Sequence, residues 1–143
     1  MKTFTLSWQF WALLSACFAA LTAIFAKVGV ESVNSDFATF IRTLVILVVV
    51  AGMLIALHEW QPISTLSSRT VLFLVLSGCA TGASWPCYFR ALKLGDAARV
   101  APIDKLSVVL VALFGVLILG EKLSLPNWAG VALIGVGAIL VAI

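Results

Sequence analysis

The amino-acid sequence predicts an all-α integral membrane protein with five transmembrane helices, and three observations carry that reading. Apolar residues make up 63% of the chain and charged residues only 10%, with a mean hydropathy of +1.19. A soluble domain would hold roughly a quarter of its residues as charges in order to face water, so most of this surface must face lipid. Five segments approach the roughly 20 apolar residues that span a bilayer: 7–28, 36–57, 70–92, 97–120 and 126–143. The connections between them are too short for a soluble domain, so 1–143 reads as a single five-helix membrane domain without internal repeats.

The first segment contains small residues in SACFAA, as a signal peptide would. Its apolar part is too long for a typical signal core, however, and only Lys2 precedes it, so it reads as a true span. Trp8, Trp11, Ser15, Phe18 and Thr22 recur at helical spacing and form one face, suited either to helix packing or to lining a cavity. Gly29 and VESVNSD close this helix, and Ser35 is the expected cap of the second. The second helix is dry over LVILVVVAGMLIAL and leads into the longest connection, HEWQPISTLSSR.

The third helix is richer. Gly78 and Gly82 are four apart, a spacing that lets another backbone come close. Ser77, Thr81, Ser84 and Tyr88 lie along an adjoining face beside Trp85. Pro86 removes a backbone hydrogen bond and crowds the carbonyl of Gly82, which predicts a kink. Such a helix serves packing or a substrate path. Gly95 ends it, Asp96 is the expected cap of the fourth helix, and Pro126 suits the opening turn of the fifth.

Charges inside the spans need a reason. Asp104 lies eight residues beyond Asp96, about 12 Å at ~1.5 Å per residue, and Arg42 lies seven beyond Ser35, about 10 Å by the same rise. Both helices start from the same side, so these charges fall at similar depth, in the leaflet that also holds Arg90 and Lys105. Long basic side chains can reach the headgroups from there. Asp104 is too short to do so, and a charge at this depth costs about 1–3 kcal/mol unless paired or hydrated. Pairing of Asp104 with Arg42, Arg90 or Lys105 around a hydrated entrance is the expectation.

Several function classes are excluded. The net charge of +3 is spread without a run or stripe, which argues against nucleic acid. Cys17, Cys79 and Cys87 lack metal-site spacing and are expected as reduced, buried thiols; His58 has no partners for a metal or catalytic site. No cluster of carboxylates or of His, Ser and Cys sits at one depth, so no catalytic residue, metal or cofactor is assigned. GVLILGEK imitates a phosphate loop, but Glu121 separates its second glycine from Lys122 and its interior is bulky.

Five spans put the two termini on opposite sides. Lys2, Arg69 and Lys122 fall on the N-terminal side and Lys27, Arg90, Lys93 and Arg99 on the other, with Arg42 and Lys105 deeper. That bias is small enough to permit insertion both ways. Trp8, Trp11, Trp60 and Trp128 fall toward the N-terminal side, where indoles anchor helices.

The run CYFRALKLGDAARVAPIDKLSVVLVALFGVLILGEKLS (87–124) resembles the EamA family of the drug/metabolite transporter superfamily. The points of likeness are an aromatic-x-Ala-Leu end to the third helix, a Gly-Asp turn, a proline-bearing fourth helix and the closing Gly120-Glu121. NWAGVALIGVGAIL in the fifth helix also fits, and the likeness is weaker over the first two helices. Most members of that family join two such units in inverted orientation and work by alternating access. The resemblance therefore implies that this single unit pairs with a second copy, most economically antiparallel. Small multidrug resistance proteins of the same superfamily use an acid in mid-first helix, whereas here that helix carries only the terminal Lys27. Proton-coupled export of lipophilic cations is thus not the implied activity. Gly130 and Gly137 resemble the glycine face by which those proteins dimerise.

The expected function is a secondary transporter, an exporter of small metabolites or drug-like molecules, acting as a homodimer in the inner cell membrane. Its partners would be the lipid bilayer, a second copy and a small-molecule substrate. Ser15, Thr22, Thr81, Ser84, Trp85 and Tyr88 are the cavity candidates; Arg42, Arg90, Asp104 and Lys105 are the entrance or gate candidates. The alternative is a non-transporting membrane subunit that stabilises or regulates a partner.

Overall fold

The computed structural model describes residues 7–143; Lys2, which enters the orientation argument, lies outside them. The regular structure within those residues is helical: α1 (Trp8–Val30), α2 (Ser35–Ala56), a 3-10 turn (Ile63–Thr65), α3 (Ser68–Leu94), α4 (Ala97–Asp104), α5 (Ser107–Ile118) and α6 (Leu125–Ala142). α4 and α5 share one span, Ala97–Ile118, so among the described residues five helical spans are long and apolar enough to cross a membrane. Helices suit that setting because each satisfies its backbone hydrogen bonds internally, with no water to help.

The helix ends obey local chemistry, with three corrections to the sequence-based expectation. α1 continues through Gly29 to Val30. α2 is capped by Asn34 rather than Ser35: the Asn34 Oδ1 accepts from the N–H groups of Asp36 (2.8 Å) and Phe37 (3.2 Å). Ser35 already sits in the first turn and is buried. Ser67 serves α3, its Oγ accepting from the Thr70 N–H at 3.1 Å. Asp96 is the N-cap residue of α4 through its backbone; its carbonyl accepts from Arg99 and Val100, and its side chain makes no capping bond. Pro126 stands in the first turn of α6, where a missing N–H costs nothing.

α3 remains helical through Pro86. An interruption falls at Lys105 and Leu106, just beyond Pro102. Pro102 cannot donate to the turn before it, and the bonding tightens downstream. The N–H groups of Leu106, Val108 and Val109 donate to the carbonyls of Ile103, Lys105 and Leu106, all three residues back and all 3.0 Å long. Such i→i−3 bonds give a 3-10-like step that resets the helix between α4 and α5.

Two compact units are present. One joins the described residues up to Lys27 with Leu94–Ile143, and α6 in it packs on both α4 and α5. The α5–α6 approach is close at Gly135, where an added Cβ would stand 3.4 Å from Val109 Cγ2. The other unit, Val28–Lys93, holds α2 and α3. Few apolar side chains among the described residues are buried in the isolated chain: Ala23, Ala26, Val30, Phe89, Leu92 and Ala138. On α1 the buried residues are therefore Ala23, Ala26 and Val30, while Trp8, Trp11 and Phe18 are exposed. The cysteines are free thiols as expected, but exposed rather than buried, which in a spanning helix means facing lipid or another chain.

Candidate functional site

Between α2 and α3 runs a groove of about 590 Å³, lined on one side by Thr39, Thr43, Ile46, Leu47 and Val50 and on the other by residues from Leu74 to Trp85. The α2 residues recur at three- and four-residue spacing and so form one stripe. On α3 the same spacing selects Leu74, Ser77, Gly78, Thr81, Gly82 and Trp85. No heavy atom lies within 4 Å of where a Cβ would stand on Gly78 or Gly82. Within this chain the glycines thus leave the groove open.

Its threonine hydroxyls are turned inward to their own helices. Thr39, Thr43 and Thr81 each donate to the carbonyl four residues back, Ser35, Thr39 and Ser77, at 2.9, 2.8 and 3.0 Å. That is how a threonine is made tolerable in a membrane helix, and it leaves the methyl groups and the oxygen lone pairs to the groove. Ser77 apart, the middle is consequently an apolar wall.

Arg42 stands at the Trp85 end. It is three residues beyond Thr39 and four before Ile46, on the edge of the groove stripe. Its guanidinium lies 4.2 Å from the Trp85 ring centroid and 5.4 Å from that of Phe89, both within cation–π range. Among the described residues it makes no ion pair and donates no hydrogen bond to a protein acceptor. Tyr88, three residues beyond Trp85, is half-buried at the same end of α3.

The other charged candidates have partners inside their own units. Arg90 Nη2 donates to both carboxylate oxygens of Asp36, at 3.0 and 3.2 Å. Lys105 Nζ donates to Asp104 Oδ2 at 3.1 Å, so Asp104 pairs with its chain neighbour. Further cations tie down backbone carbonyls: Lys27 reaches Gly95 (2.9 Å), Lys93 reaches Val33 (2.6 Å) and Arg99 reaches Ile143 (3.3 Å).

Of the cavity candidates, Thr81 and Trp85 line the α2–α3 groove. Ser84 is exposed on α3, and on α1 Ser15 is exposed and Thr22 half-buried. Sequence reasoning passed over Thr39, Thr43 and the α2 wall, because that helix reads as dry. The signal was there in Thr39–Arg42–Thr43, a polar cluster of helical spacing just before the apolar run. Asp36 was likewise missed as the partner of Arg90. A second hollow, about 720 Å³, is formed by Leu54, His58, Glu59, Trp60 and Gln61 at the end of α2. It brings together a single exposed connection and no convergent chemistry.

Residues 6–143 match the EamA-like transporter family. A Sinorhizobium protein described as an uncharacterized transporter in the cobO 3' region is 70% identical over 137 residues, covering 96% of this chain and 97% of that protein. An uncharacterized Methanocaldococcus jannaschii protein is 27% identical over 131 residues, covering 92% and 93% respectively. The chain thus spans nearly the full length of both relatives. No solved structure matches at a significant level.

Proposed function

Because the chain belongs to the EamA-like transporter family, matched across 6–143, we propose that it is a secondary transporter of small metabolites or drug-like molecules. It works by alternating access in the cytoplasmic membrane, in the export direction, as a homodimer of two half-size units. The family match is the observation that carries this reading, and the transporter name of the Sinorhizobium relative supports it. Both point away from an enzyme.

Pairing is expected from the size of the unit and from its surface. Secondary transporters place substrate between two repeats near the bilayer midplane, and one unit supplies half of such an arrangement. Gly130 and Gly137 on α6 have no heavy atom within 4 Å of a prospective Cβ, which leaves that face open to another helix. The antiparallel pairing is favoured by the weak Lys/Arg bias between loops, which permits both insertions. Within each copy the α2–α3 groove supplies the substrate contacts, with Thr81 and Trp85 in its lining and Arg42 at its end.

Reporters that are active only inside or only outside the cell, fused in turn to the C-terminus, test the arrangement. Signal from both is expected. Signal from one side alone overturns the antiparallel homodimer. Substrate flux into vesicles containing only this chain tests transport itself. Transport that appears only with a second, different membrane protein would establish the subunit role instead.

A further inference from the structure

We infer that the α2–α3 groove takes a small amphipathic organic anion from the aqueous phase, its acidic group against Arg42 and its apolar or aromatic body along Ile46, Leu47, Val50 and Leu74. The inference rests on the transport reading for its biological purpose, and on the geometry of a single unit for its chemistry.

Three of the four charged gate candidates are already neutralised locally: Arg90 pairs with Asp36, and Asp104 and Lys105 pair with each other. Arg42 is not. It lies about two turns inside a spanning helix, where an isolated cation is costly, and no carboxylate pairs with it among the described residues. A guanidinium carries five N–H donors in its plane. The faces of Trp85 and Phe89 attract its charge but accept none of those N–H groups in the way an oxygen does. An oxyanion with two oxygens would meet the edge of the fork bidentately while Trp85 holds the guanidinium in place.

The wall specifies the rest of the ligand. A volume of about 590 Å³ falls within the roughly 300–1,000 Å³ of small-molecule sites. Its threonine hydroxyl protons are spent on backbone carbonyls, which leaves Ser77 as the one other hydroxyl in the lining, so the wall offers little to a sugar-like body and much to a hydrocarbon or ring. The open space beside Gly78 and Gly82 leaves room for it. A cationic ligand is disfavoured because its charge would approach Arg42.

The test uses one body with three charges: phenylbutanoate, phenylbutanol and phenylbutylamine. Each is measured by equilibrium dialysis against the full chain in discs of phosphatidylcholine alone. The acid should bind about tenfold more tightly than the alcohol, the scale of one charge-assisted contact, with the amine weakest. Arg42→Gln should bring the acid down to the alcohol. Gly82→Leu, which fills the groove and leaves Arg42 in place, should weaken acid and alcohol alike; it decides the matter if Arg42→Gln does not fold. Equal binding of acid and alcohol, no binding of the acid, or an acid preference that survives Arg42→Gln overturns the inference. Loss of acid binding on adding phosphatidylglycerol to the discs also overturns it, since a lipid headgroup would then be the occupant. Binding is read without flux, so the two proposals fail separately. An anion preference without transport would sink the transporter reading, and transport indifferent to charge and to Arg42→Gln would sink this one.

Discussion

A double-mutant cycle on Arg42 and Trp85 probes the contact on which the groove depends. The single change Arg42→Met is ambiguous. It removes a cation from a spanning helix, which stabilises, and removes its ring contacts, which destabilises. Trp85→Leu alone loses groove-lining area as well as the contact. The coupling between the two isolates the pair. The guanidinium sits 4.2 Å from the Trp85 centroid, well inside the ~6 Å limit for such attraction. Arg42 is half-buried, between the ~0.5–1 kcal/mol of an exposed pair and the ~2 of a desolvated one, so about 1 kcal/mol is expected. Phe89, at 5.4 Å, survives the change and retains a weaker share. Reversible unfolding of wild type, both single variants and the double variant in one detergent gives the coupling. A value below about 0.3 kcal/mol, the level at which independent sites already add, would refute the view that Trp85 holds Arg42.

Ion pairing, packing and backbone conformation set the remaining outcomes. Asp36→Asn or Arg90→Gln should lower stability by at most about 0.5 kcal/mol, because the paired side chains are 52% and 64% exposed; denaturation at low and high salt should show the effect shrinking as salt rises. Gly135→Val should destabilise the monomer by about 1–3 kcal/mol by overpacking against Val109. Gly137→Leu should leave the monomer's melting unchanged and reduce the dimer in crosslinking. Gly120→Ala should cost about 1–2 kcal/mol in the same unfolding assay, since Gly120 has φ +71° and an L side chain is strained there.

Much of the architecture was legible because a bilayer imposes a length and a polarity that local composition reports directly. The five spans are read from apolar runs, and their ends to within a residue or so, since α1 runs past Gly29 and Asn34 takes the capping place expected of Ser35. The α4–α5 interruption was less legible. Pro86 and Pro102 are equally visible in the sequence, yet α3 continues through the first while the chain changes step just after the second. A proline removes one bond in either case. Its effect depends on whether the next turn can find other carbonyls, and beyond Pro102 that turn takes those three residues back. The packed face of α1 was illegible for a different reason. In lipid, exposure carries no penalty for Trp8, Trp11 or Phe18, so a large apolar stripe does not mark a contact. Small Ala23 and Ala26 do, because they let another surface approach.

The charges sorted by their positions around the helices rather than by depth. Sequence depth put Arg42, Arg90, Asp104 and Lys105 in one leaflet, but depth says nothing about azimuth around a helix. Arg90 lies within reach of Asp36, an acid in the first turn of α2, where it also favours the helix N-terminus. Asp104 and Lys105 stand where α4 gives way to α5, and this accounts for a charged pair inside an apolar run. At an interrupted turn, carbonyls lose their usual N–H partners and are better solvated by a polar neighbourhood. Lys105 at the C-terminal end of α4 also complements that helix's dipole while neutralising Asp104. Each of these charges thus answers a demand of its own backbone or neighbour. Arg42 meets the rings of Trp85 and Phe89 instead. Among the four gate candidates it is the one with no carboxylate or carbonyl partner in the described residues, which is why it is assigned to the ligand.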